Sequence, residues 1–325
     1  MRKTLAAVAA ATVLLAGQAL AASGKLVLYT SQPNADAQQT VDAFKQANPG
    51  VEVEWVRDGT TKVMAKLRAE FAAGAPKPDV LLIADIVTME QLKSEGRLMA
   101  YADAPVGAYG PGLHDTDKTY FSTKLITTGI VYNTGAPMQP VDWEDLVKPE
   151  AKNLVAMPSP LTSGAAAIHM AALTSNPKYD WAYYEQLAAN GVTPKGGNGG
   201  ILKAVASGEK LYGVVVDFLP IREKEKGAPV EFVFPASGVT AVTEPAAILS
   251  TSANPDAAKA FIDFLLSKEG QELALSQGYL AAHPDVAPPA GFPSRDKIKL
   301  MAFDAAKALR EDEANKKKFV EIFGQ

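Results

Sequence analysis

The stretch from Leu26 to Gly96 decides the fold. It opens with Leu26-Val-Leu-Tyr-Thr30, an apolar run that reads as a buried strand. A helix follows, with Val41 and Phe44 on one face and Asn48-Pro49-Gly50 to stop it. Val51, Val53 and Trp55 alternate with Glu52 and Glu54, the pattern of a half-buried strand. Met64, Leu67 and Phe71 have helical spacing, Val80-Leu-Leu-Ile-Ala84 is a second apolar strand, and a further helix ends at Gly96. Strands alternating with helices predict an α/β fold with a mainly parallel sheet.

Outward from this segment, the chain continues in the same style. Pro105 to Gly112 is rich in proline and glycine and marks a junction between lobes. Strands are expected at Ile126–Tyr132, Leu154–Met157 and Leu211–Val216, and helices from Ala165 to Leu173 and after Asn254-Pro255. The last 30 or so residues read as surface helices. A length of 325 residues is about twice the ~150-residue domain prior, so two lobes are expected. The expected division puts residues 22–115 and 240–285 in lobe 1, and residues 116–239 and 286–325 in lobe 2.

Composition removes whole classes of function. The chain is 47% hydrophobic and 21% charged, which excludes a disordered protein. It has no cysteine, so disulfides, thiolate metal sites and cysteine nucleophiles are all excluded. A net charge of −4 without a basic block argues against nucleic acid as a partner. Arg2 and Lys3, an uncharged run from Leu5 to Ala16 and Ala19-Leu20-Ala21 form the pattern of a cleaved export signal. Residues 1–21 are therefore expected to be removed, leaving a periplasmic protein.

In open α/β sheets, ligands bind beyond the carboxyl ends of the strands. That rule collects Ser31, Gln32, Asp58, Thr60, Thr61, Asp85, Ser159, Thr162, Ser163, Gly164 and Asp217. Taken singly, each Asp or Ser at such a place also reads as a helix cap. Leu161-Thr-Ser-Gly164 at a helix start suits a phosphate-like anion, or is an ordinary cap. Gly196-Gly-Asn-Gly-Gly200 lacks the Lys-Ser/Thr of a P-loop and reads as a glycine-rich turn. The three histidines, His114, His169 and His283, form no metal-spaced pair, and no Gly-x-Ser-x-Gly elbow occurs. His169 reads as structural. In Tyr183-Tyr184 one ring reads as core and the other as surface, and Lys316-Lys-Lys318 as a solvated face. No catalytic residue, metal site or cofactor is expected.

Six segments taken in order resemble the type II periplasmic solute-binding proteins of ABC importers, closest to the branch that binds ferric iron or 2-aminoethylphosphonate. They are Leu26-Val-Leu-Tyr-Thr-Ser-Gln32, Pro78-Asp-Val80, Gly129-Ile-Val-Tyr-Asn-Thr134, Thr162-Ser-Gly164, Ala204-Val-Ala-Ser-Gly-Glu209 and Pro255-Asp-Ala-Ala-Lys-Ala-Phe261. The resemblance implies two lobes that close on a ligand, with hinges expected near Thr127–Val131 and Ala236–Val242, and an ABC permease as partner to a monomer. Iron-binding relatives use a His, a Glu and a Tyr pair. Here Pro33 stands at the His, Thr60-Thr61 near the Glu, and Phe218-Leu219 at the tyrosines. An apolar pair cannot replace anionic oxygen donors to a hard cation. The anion-binding part of that resemblance remains, as Ser163-Gly164-Ala165 and Asn198.

Asp85 and Asp217 would repel a bare oxyanion, so a ligand with an ammonium as well is expected, 2-aminoethylphosphonate being the favoured example. Another organophosphate, a polyamine or iron stays open on the same fold. A secreted phosphate-ester hydrolase is the alternative of a different class.

Overall fold

A computed structural model describes residues 22–110 and 112–324. The expected export signal, residues 1–21, lies outside the described residues. The first sheet is built from β1 (Gly24–Thr30), β2 (Val51–Arg57), β3 (Val80–Leu82), β4 (Phe121–Ser122) and β10 (Pro245–Ile248). Its order is β2-β1-β3-β10-β4, with β2, β1 and β3 parallel and β10 antiparallel to both its neighbours. Helices cover both faces, which is why the inner strands β3 and β10 are buried along their length, while the edge strand β2 keeps its alternating glutamates. Leu26, Leu28, Val80 and Leu82 pack with Val41 and Phe44 of α1 (Asn34–Ala47) and with Phe261 and Ile262. Tyr29, Leu81 and Ile83 face the other way, onto Val63 and Leu67 of α2 (Thr60–Ala72) and Met89 of α3 (Ile86–Ser94).

The second sheet grows around β5 (Lys124–Asn133). One half of β5 pairs with β9 (Thr240–Val242) and β11 (Leu280–Ala281), the other with β7 (Tyr212–Val216) and β8 (Val230–Val233), all antiparallel. Among the described strands of this sheet, β6 (Val155–Ala156) alone runs parallel to its neighbour, β7. The expectation of a mainly parallel sheet in each lobe is therefore corrected: both sheets are mixed, because strands returning from the other lobe enter antiparallel. Around this sheet lie α4 (Gly164–Thr174), α5 (Asp180–Ala189), α6 (Asn198–Ala206) and α7 (Phe218–Glu225). Tyr183 and Tyr184 are both buried in this lobe's core, correcting the reading of one as surface; Tyr183 donates to the Trp143 carbonyl at 2.9 Å. His169 is buried against Trp143, and desolvation pushes its pKa down to about 3, so it is a neutral core residue.

The first two crossings between the lobes fall later than the sequence suggests, and the third falls earlier. Ala104, Val106 and Tyr109 belong to the first lobe's core, so the Pro/Gly-rich segment is not the junction. The chain passes from sheet one to sheet two at Thr123, returns at Thr243-Glu244, and crosses again before β11. The returning segment adds α8 (Pro255–Leu266) and α9 (Lys268–Ser276) to the first lobe. The long C-terminal α10 (Ala305–Phe323) packs on α4 and α5 and also on α3, so it spans both lobes.

Candidate functional site

Between the lobes lies a cleft of about 610 Å³. Five helices begin at its walls: α1 and α2 from the first lobe, and α4, α6 and α7 from the second. The first turns of α1, α2 and α6 carry no side-chain cap. Their free N–H groups and positive dipole ends point to an anion as occupant. Gly59 and Gly197 stand at two of these starts, so no side chain screens the backbone.

Seven of the expected site residues line this cleft: Ser31, Asp58, Thr60, Thr162, Ser163, Gly164 and Asn198. Ser31 accepts from the Ala84 amide at 2.9 Å, tying two strand ends together. Ser163 both lines the cleft and caps α4, accepting from the Ala166 amide at 3.3 Å. Asn198 donates to the Ser163 hydroxyl and accepts from the Val216 amide, joining α4, α6 and β7. The glycine-rich turn at 196–200 is itself a wall of the cleft, a role its sequence does not advertise.

The other five lie elsewhere. Asp217 is 1% exposed, and its carboxylate accepts from the Thr127 amide and hydroxyl and from the Phe218 amide. Burial raises its pKa to about 6 against those hydrogen bonds. It anchors α7 to β5 and does not face the cleft. Asp85 caps α3 through Thr88 and, with Thr61, lines a second cavity of about 280 Å³ beside Asp312 and Lys316 of α10. Burial raises its pKa too. Gln32 is buried, donating to Glu244 at 3.4 Å, and Ser159 is buried in the turn before α4. The expectation that Asp85 and Asp217 hold an ammonium is therefore corrected: a strand-end position does not set a side chain's direction.

Cleft residues that sequence reasoning missed come from the crossings and from charged strand ends. Glu244 and Tyr279 line the floor. Glu244 is buried and paired with buried Lys124 at 2.7 Å, with its pKa raised by burial. Its φ of 37° is a left-handed conformation that non-glycine residues seldom adopt, and no local pattern announces it. Arg57, whose Nε donates to the Gln32 carbonyl at 2.6 Å, and Lys62, 3.6 Å from Asp58, add positive charge at the rim. Ile126, Val216, Phe218 and Leu219 make an apolar wall opposite the hydroxyls.

The lobes touch across the cleft mouth. A Cβ at Gly164 would lie 2.7 Å from the Ala84 carbonyl oxygen and 3.0 Å from the Asp85 Cβ of the other lobe. At this point the two lobes are in direct contact.

Residues 26–280 match the family of bacterial extracellular solute-binding proteins. The chain is similar to the periplasmic binding protein AfuA of Actinobacillus pleuropneumoniae, solved with exogenous fructose-6-phosphate bound. Identity is 26%, coverage 92% of this chain and 98% of that one, and the TM-score 0.83. The thiosulfate-binding protein of Escherichia coli is 26% identical over 297 residues, 85% of this chain and 82% of that protein. Iron-bound HitA of Pseudomonas aeruginosa shares the fold at 22% identity, over 91% of this chain and 99% of that one, with a TM-score of 0.78.

Proposed function

The chain belongs to the bacterial extracellular solute-binding proteins, and from that premise we propose that its cleft captures a small organic phosphate or phosphonate. As a periplasmic substrate-binding protein of an ABC importer it hands its solute to a membrane permease. The observation that carries the ligand class is the meeting of uncapped helix N-termini from both lobes at one cleft. An anion there completes N–H groups from both sides at once, so binding and closure reinforce each other. Thr60, Thr162, Ser163, the Gly164 amide and Asn198 hold the phosphoryl oxygens in this reading.

The remaining volume and the wall of Ile126, Val216, Phe218 and Leu219 favour a ligand with an organic body over bare phosphate. AfuA, with its sugar phosphate, supports the same class. A zwitterion such as 2-aminoethylphosphonate is less well served than a hydroxylated phosphate ester. The two carboxylates that reach the cleft, Asp58 and Glu244, each already have a lysine. Iron is disfavoured by the donor set: among the described residues no group of three His, Asp or Glu side chains is placed to hold a metal.

Calorimetry with fructose-6-phosphate, glycerol phosphate, 2-aminoethylphosphonate, thiosulfate, putrescine and ferric citrate tests the reading. Saturable binding of a phosphate ester or the phosphonate, with thiosulfate at least tenfold weaker, is expected. Binding of ferric citrate or putrescine alone overturns it.

A further inference from the structure

Arg222 of α7 and Asp36 of α1 stand on opposite lobes, 186 residues apart, and meet beside the cleft floor. One guanidinium nitrogen, Nη1, donates to both Asp36 oxygens at 3.2 and 3.1 Å. The guanidinium packs against the touching rings of Phe218 and Tyr279, 4.6 Å from each centroid while the centroids are 4.4 Å apart, so the cation caps the aromatic pair from one side. The Tyr279 hydroxyl donates to the same carboxylate, and Gln277 donates to the Asp36 carbonyl at 3.0 Å.

We propose that Arg222 and Asp36 are the latch of the closed cleft, an ion pair between lobes whose making and breaking sets the balance of closed and open forms.

The pair is strong enough to matter and incomplete enough to open. Charge-assisted hydrogen bonds in a buried setting outweigh neutral ones. Yet Arg222 Nε and Nη2 are buried without a hydrogen-bond partner among the described residues, donors that water would satisfy once the lobes part. Closure thus trades two hydrated donors for one shared carboxylate, an exchange near balance. Phe218 and Tyr279 also line the cleft, so a solute packed on these rings fixes the same aromatic pair that Arg222 packs on. That is a physical route from occupancy to the latch, and it holds whichever solute the cleft takes.

The chain has no cysteine, so a spin-label pair can be placed without background. Ala65 on α2 and Lys203 on α6 are exposed, on helices that start on opposite cleft walls. Cysteines there, measured by pulsed dipolar spectroscopy without added solute, report the opening directly. Arg222→Met and Asp36→Asn are each expected to move population from the shorter to the longer distance. The double variant should add little to either, because both break one pair. Arg222→Lys, which keeps the charge but loses the flat stacking, should fall between. Thermal melting of each variant separates this shift from loss of fold. Distance distributions identical to the wild type in the folded variants, or single effects that simply add, overturn the latch. Because no solute is present, this outcome is independent of the calorimetric panel.

Discussion

Asp217 illustrates how a single side chain's direction decides its role. Its carboxylate is enclosed by Thr127 and Phe218, and burial raises its pKa from 3.8 to about 6. Between those values the folded state holds a proton that the unfolded state has lost, so stability falls as pH rises through that range. The contribution is complete below pH ~4 and lost above pH ~6, amounting to roughly 3 kcal/mol in all. Asp217→Asn has no such proton, so the wild type should gain about 2–3 kcal/mol on the variant between pH 7 and pH 4. Urea melts at each pH measure this; parallel stability curves would contradict it. Much of the site was legible residue by residue where backbone geometry sets function. Ser163 and Gly164 reach the cleft because a hydroxyl and a glycine at a helix start show a free N–H by their position alone, whereas Asn198 is named only by the family resemblance. Asp85 and Asp217 were misplaced because the same strand-end position lets a carboxylate turn inward.

Most elements were legible from their spacing, since each strand or helix writes its buried face in local order. Val41 and Phe44 lie on one face of α1, and the apolar run of β1 divides its side chains between two covered faces. What local order cannot show is the partner. Glu244 and Tyr279 reach the cleft from crossings whose neighbours are set by the fold as a whole. The start of α8 combines both levels. Asn254 accepts from the Ala257 amide at 3.2 Å as its cap, and donates to the carbonyls of Ser23 and Lys25 at 2.9 and 3.1 Å. Asn254→Ala loses the cap and frees the entry to β1, so a loss of ~1–2 kcal/mol in stability is expected. Solute affinity should not change, because none of these groups reaches the cleft; a calorimetric shift above threefold would contradict that separation.

At the scale of the molecule, function rests on two lobes that meet at close quarters. Gly164 packs closely on the other lobe, and a methyl group there has no room against the Ala84 carbonyl. Alanine suits a helix better than glycine by up to about 1 kcal/mol, so Gly164→Ala should leave melting of the solute-free protein unchanged or slightly raised. Closure is blocked, so affinity for whichever phosphate ester or phosphonate the wild type binds should fall at least ~10-fold, which is 1.4 kcal/mol. Small-angle scattering should lose the solute-induced compaction of the wild type; full compaction with unchanged affinity would contradict the wedge. The placement of β10 has a different consequence, for the order in which the chain can fold. It fills the gap between β3 and β4, yet it follows them by more than a hundred residues. The strands β5 to β9 of the second lobe form one unbroken stretch, 124–242, made before β10 exists. A chain delivered N-terminus first therefore assembles its later lobe around a continuous sheet while the earlier one waits, with the edge of β3 open and sticky. The sheet that begins the sequence is still unfinished when β5 to β9 are complete, and α10, packed on both lobes, is the last element to close the molecule.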